Sequence, residues 1–400
     1  MGNKQAKMAM QCLFLAAAAS LSLVGVAVAE GPRLTGYDPE NLVLTPQKPG
    51  EHRVFWNDIR SGSYGRGVLM DVEKNEVLTT VDLGWEGGKV EWPSTGSEFY
   101  VQGVYLSRGF HGDTTNVVEI IDKLTFQKKG EILLPAKALR GYPSMQLSGF
   151  TEDNRFLLLQ GVSPAFSITV VDLQERKLAS EIETAGCAYV LPMGKRAIGT
   201  VCGDGSIVQI NIDDQGRETS RVKTPGVFDA KVDMLNVSAG TRGKGVYYFL
   251  TYRGMLHTIR YDSGKPVVES RWSVSEKEGD EHWVPAHIMQ QAAVHEPTGR
   301  LFVLMQRTSL EPKGGGYDFH RNFGTEAWVF DLKTRKRLQR IVFEEPVAQI
   351  AISQDAKPIF YAASVTVQKL WAYDGLTGVK LKLMDIDANM GAMIQPLEPQ

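Results

Sequence analysis

Cysteine is nearly absent, at three in 400 residues, and no Cys-x-x-Cys occurs. That excludes a dithiol redox motif and the paired-cysteine type of zinc site. Long apolar runs are missing as well. The one uncharged run, Cys12 to Val26, falls short of the ~20 residues a membrane span needs. Charge is balanced, with 44 Lys and Arg against 46 Asp and Glu, and no basic block stands out. Gripping a nucleic acid or an anionic membrane surface would need such a block. Long segments of 3.6-residue periodicity are also lacking, which argues against a helical core.

What is present starts at the N-terminus. Lys4 and Lys7 precede the apolar run, and Ala27-Val28-Ala29 follows it, just before the polar Glu30-Gly31-Pro32. This is the layout of a secretory signal peptide over residues 1–29, cut after Ala29, which predicts an exported mature chain of residues 30–400. That mature chain has 42 basic against 46 acidic residues, a net charge near −4.

One pattern recurs through it: an apolar strand ending in Asp, a polar turn, then another strand. The copies carry Asp71, Asp122, Asp172, Asp213, Asp262, Asp331 and Asp374, at intervals of 51, 50, 41, 49, 69 and 43 residues. Seven copies with a period of about 50 predict an all-β, seven-bladed propeller. Each Asp suits the start of the turn between a blade's two outer strands, where its carboxylate can accept backbone N–H bonds. The 69-residue interval holds an insertion, with histidines at one end and EPKGGGYDFHRNFG at the other. Ring closure is predicted from the ends: the first copy lacks an inner strand, and GAMIQPLEP at 391–399 is a strand without a blade.

In an exported chain, Cys187 and Cys202 suggest one disulfide. GCAYVLPMGKRAIGTVCG reads as a hairpin about Gly194-Lys195, which sets the two cysteines opposite each other. The closed loop would contribute ~3 kcal/mol as a staple.

Catalytic motifs do not emerge. Neither G-x-S-x-G, H-E-x-x-H, a Walker loop nor a dinucleotide fingerprint occurs. The glycine-rich 62–67 reads as a loop between strands, and Asn236-Val237-Ser238 is a formal glycosylation sequon. EHWVPAHIMQQAAVH gathers His282, His287 and His295, but spacings of five and eight match no common zinc pattern. Pro285 also argues against a regular helix through the first two. No metal ligands are assigned.

The run HWVPAHIMQQAAVHEPTGRLFVLMQ, with AWVFDLKTRKRL, ISQDAKPIFYA, LWAYDGLTG and the upstream HRVFWND, GYPSMQLSGFTED, SPAFSITVVDL and VCGDGS, resembles the heavy subunit of the quinoprotein amine dehydrogenases. The matching features include Trp283, Pro285, Gln290-Gln291 and His295. The resemblance covers nearly all of the mature chain. It implies a seven-bladed propeller in a periplasmic complex of two heavy and two light subunits. The cofactor, tryptophan tryptophylquinone, and the catalytic base would sit on the light chain. The complex would oxidise a primary amine to an aldehyde and ammonia. It would then pass electrons to a blue copper protein of azurin or amicyanin type. No residue of this chain would be catalytic, and none would bind the cofactor.

In the methylamine branch a Phe in the loop after the first strand narrows the substrate channel. The matching loop here contains Ser61, Gly62, Ser63 and Tyr64, which are assigned as the channel rim. Small residues there favour aromatic or aralkyl amines over the alternative, methylamine. A free-standing periplasmic propeller that binds a protein or ligand is the alternative from another class. Trp85, Trp92, Phe110, Tyr142, Trp283, Tyr317 and Phe319 are candidates for a subunit contact.

Overall fold

Two neighbouring strands show why this chain forms a propeller. Phe156–Gly161 and Ser167–Asp172 are buried at every position, whereas the next strand, Lys177–Glu183, is buried only at Ile182. A strand buried on both faces must sit between two layers, and period-two alternation sends successive side chains to opposite neighbours. Phe156 and Leu158 accordingly pack with Val190 and Ile198 on one side, while Leu157 and Leu159 pack with Tyr100 and Val118 on the other.

The computed structural model describes residues 33–34, 42–58, 63–85, 88–135, 144–243, 245–286, 290–308, 323–364, 366–386 and 392–399. These belong to one unit, Pro32–Gln400, holding seven sheets. Each sheet is a blade of consecutive antiparallel strands. Their inner strands are, in order around the ring, Ala392–Leu397, Val90–Glu91, Ser148–Phe150, Cys187–Pro192, Leu235–Gly243, Ala292–His295 and Gln349–Ile352. Seven apolar clusters fill the seven gaps between adjacent blades. The core is therefore a ring of interfaces, and no blade has a core of its own.

The ring closes as the sequence predicts. Ala392–Leu397 lies antiparallel to Arg53–Asp58, pairing Arg53 with Leu397 and Asp58 with Ala392. The outer edge of blade 1 carries an addition not expected from the sequence: Arg33–Leu34 pairs in parallel with Glu76–Val77.

All seven aspartates stand at the predicted turns. Asp122, Asp172, Asp213 and Asp374 each accept two backbone N–H bonds through Oδ1, and Asp71 and Asp331 accept one each. In five of these turns the fourth residue after Asp is left-handed: Asn75, Phe126, Arg176, Arg335 and Gly378. Asp262 differs because its turn holds only Ser263 and Gly264, both with positive φ. A two-residue turn of that kind closes the hairpin without the carboxylate's help.

Cys187 and Cys202 pair across the ladder and are joined by a disulfide. The turn beneath them is not the two-residue Gly194-Lys195 turn expected. Met193 N–H donates to Ala197 O, leaving three residues in the loop. A bulge at Tyr189, whose φ is 73°, absorbs the extra residue and restores the cysteine register. A second correction concerns the glycine-rich stretch. Most of it is strand, Tyr64–Asp71, and a Cβ on Gly67 would stand 2.8 Å from Val81 and 3.1 Å from Val90. Glycine there lets two blades approach. Asn236 of the sequon is buried, with its side chain donating to Ala286 O at 3.4 Å.

Candidate functional site

Antiparallel strands divide the connections between two faces. On one face lie the turns after the first and third strands of each blade, including the aspartate turns. The other face carries the longer connections, such as those between Asp58 and Tyr64, Leu106 and Thr114, Leu134 and Ser148, and Thr308 and Gly324. The insertion of the 69-residue interval also emerges there. Its described half is a hairpin, Glu276–Glu278 with Glu281–Pro285, which extends the inner side of blade 6.

Of the assigned rim residues, Ser63 and Tyr64 are described, and Ser61 and Gly62 lie outside the described residues. Tyr64 starts its strand opposite Trp85. From the neighbouring blade the loop 107–113 brings Phe110 against both. The three rings pack edge-on, with centroids 5.7 Å apart for Tyr64–Trp85, 6.1 Å for Tyr64–Phe110 and 5.3 Å for Trp85–Phe110. Tyr64 Oη donates to Gly109 O at 2.9 Å, fixing the loop tip, and Phe110 remains 66% exposed. Sequence reading named Phe110 as a contact residue but not as a neighbour of the rim, because the two lie 46 positions apart in the chain.

The other aromatic candidates divide. Trp92 packs in the core between blades 1 and 2, and Trp283 is buried in blade 6. Tyr142, Tyr317 and Phe319 lie outside the described residues. Trp283 and Trp328 have ring centroids 5.3 Å apart. Arg340 stands over both rings, and their indole N–H groups donate to Glu278 and Glu326.

The histidines do not converge. His282 pairs with Thr308 and His295 with Arg300, at opposite ends of one strand, roughly 27 Å apart at about 3.4 Å per residue. His287 lies outside the described residues. His295 is 1% exposed, and its Nε2 donates to Asp355 O at 3.0 Å. Its Nδ1 then accepts from Thr298 Oγ1 at 2.7 Å, and burial holds the ring below its usual pKa, so it is neutral. Among the described residues, no three His, Cys, Asp or Glu side chains gather as a metal site.

One member of the glutamine pair has a definite task. Gln290 Nε2 donates to Ile394 O at 2.8 Å, and its Oε1 accepts from Ile394 N–H at 2.9 Å. It clasps the backbone of the closing strand. Along the ring axis lies a cavity of about 490 Å³, into which Lys89, Glu91, Gln146 and Gln354 project. The buried Lys89 Nζ and Glu91 Oε1 are 2.6 Å apart, and Ser148 Oγ donates to the same carboxylate oxygen.

The family model described as "Methylamine dehydrogenase heavy chain (MADH)" matches residues 52–394. The methylamine dehydrogenase heavy chain of Methylorubrum extorquens is 28% identical over 372 residues, covering 91% of this chain and 87% of that protein. The one from Paracoccus versutus is 26% identical, covering 88% and 80%. Among solved structures, a functionally unknown protein from Desulfotomaculum acetoxidans superposes with a TM-score of 0.56 at 11% identity. It covers 85% of this chain and 98% of that one, a likeness of fold alone. With the family model spanning every blade, this chain belongs to the methylamine dehydrogenase heavy chain family.

Proposed function

We propose that this chain is the non-catalytic heavy subunit of an exported, periplasmic amine dehydrogenase. Its partner is a small light subunit bearing tryptophan tryptophylquinone, in a complex of two heavy and two light chains. Family membership across residues 52–394 is the observation that carries this reading. The bound quinone would supply the oxidation of a primary amine to aldehyde and ammonia, with electrons leaving to a blue copper protein.

This chain's tryptophans support placing the quinone on the partner. Trp283 and Trp328 lie close together but are at most 2% exposed, with both indole nitrogens bonded to carboxylates. No amine would reach them. What the heavy chain contributes is surface: Ser61, Gly62, Ser63 and Tyr64 would wall the channel, and Trp85 and Phe110 would seat the light subunit beside it. An exposed aromatic on a loop tip pinned by hydrogen bonds loses little entropy on docking, which suits an interface anchor.

The preferred substrates are aromatic or aralkyl amines, because the loop after Asp58 offers Ser and Gly where a bulky ring would narrow the passage. The names of the curated relatives favour a second reading, methylamine. The test is reconstitution. The purified chain alone should show neither quinone absorbance nor amine oxidation, and should gain both with its light subunit. Phenylethylamine should then exceed methylamine in kcat/KM. Oxidation by the isolated chain would overturn the assignment, and the reverse substrate order would establish the second reading.

A further inference from the structure

On the turn face, between blades 1 and 2, a pocket of about 180 Å³ lies opposite the long loops. Its walls are apolar, formed by Leu44, Leu69, Trp92 and Leu397, yet two cations project into it. Arg53 is 8% exposed and Lys123 is 5% exposed. Neither has a carboxylate within ion-pair distance among the described residues.

Arg53 spends Nη1 on Thr45 O at 2.8 Å and Nη2 on Thr45 Oγ1 at 3.4 Å, while its Nε has no acceptor. Lys123 Nζ donates once, to Pro93 O at 2.7 Å, and sits 5.0 Å from the Trp92 ring centroid. Burial without a counter-charge pushes the Lys123 amine down to about 8. Glu398 also borders the pocket, but its carboxylate accepts from Gln354 N–H at 2.7 Å and burial raises its pKa.

Buried charges are ordinarily paired, because an unpaired one forfeits its hydration without recompense. Two in one apolar pocket amount to an anion site lacking its anion. The volume limits the ligand: about 180 Å³ lies below the range of nucleotide or cofactor sites.

We propose that this pocket binds a small carboxylate with an apolar body, the class of phenylacetate and hexanoate, with its head between Lys123 and Arg53 and its body against Trp92 and Leu69. The site lies on the face opposite the proposed amine channel.

Isothermal titration of the purified full chain tests it, using phenylacetate, the neutral isostere phenylacetamide and the cation phenylethylamine. Phenylacetate should bind saturably, phenylacetamide at least tenfold more weakly, and phenylethylamine not at all. Lys123→Met should weaken phenylacetate at least tenfold while melting cooperatively. Leu44→Trp, which fills the pocket from its wall and leaves both cations in place, should abolish binding. Absence of binding to the folded wild-type chain, equal affinity for acid and amide, or unchanged binding in either folded variant would overturn the proposal.

Discussion

The two faces of this propeller are built on different rules. On the turn face the turn after the third strand repeats one device in most blades, an aspartate accepting backbone N–H bonds ahead of a left-handed residue. On the loop face the described connections vary in length, from 252–254 to 107–113, and residues from adjacent blades meet there, as Tyr64 and Trp85 meet Phe110. Repetition on one face stabilises the ring, and irregularity on the other gives it something to recognise. Mutations on the first should therefore change stability, and those on the second should change association and specificity.

The largest effect expected comes from neither face but from the seam that both depend on. Deleting residues 392–400 removes the inner strand of blade 1 and Ile394, the partner of Gln290. It also strips Trp56 and Phe55 of neighbours in two inter-blade clusters. Circular dichroism should show no cooperative melt. A cooperative transition near the wild-type temperature would mean that the ring holds without its latch.

A pair of single substitutions then separates the faces. Asp172→Ala removes a buried carboxylate that accepts from two N–H groups and from Arg155 Nη2, so it should cost about 2 kcal/mol. Light-subunit affinity should not change. Phe110→Ala should leave the melt within about 0.5 kcal/mol, since the ring is exposed. The same change should weaken association at least tenfold. If Phe110→Ala alters neither, the aromatic trio is not part of the interface.

Channel width is a finer property of the same loop face. Ser63→Phe restores a ring at the rim and should raise KM for phenylethylamine several-fold, with little change for methylamine. An equal response of both amines would place Ser63 away from the channel.

The difference between the faces also explains what could be read from the sequence. Blade number and the aspartate turns are local or periodic features, and the closing strand stands out as a strand without a blade at the chain's end. The cysteine register survived an error in its turn because the bulge at Tyr189 compensates, and nothing in Tyr189 itself signals a positive φ. Gly67 read as loop because its reason for being glycine, contact with Val81 and Val90, lies on other strands. The Phe110 contact with Tyr64, the Gln290 clasp, and Arg53 with Lys123 were hidden for the same cause. Each is a meeting of segments brought together only by the ring, and no periodicity marks them.

The smallest effect expected is a difference in acid sensitivity. Burial holds His257 and His295 below their usual pKa in the folded chain. As pH falls through about 6.5, the unfolded state takes up these protons first, so stability declines from there downward. The turn aspartates Asp122 and Asp374 are held below their usual pKa despite partial desolvation, because backbone N–H groups donate to them. Their contribution is complete above about 4 and is lost as pH falls through their depressed values. Chemical denaturation across pH should thus show two separate losses. His295→Gln should flatten the upper one, and Asp122→Asn should flatten only the lower. An upper loss of unchanged slope in His295→Gln would mean that the link between blades 6 and 7 at Asp355 tolerates a charged imidazole.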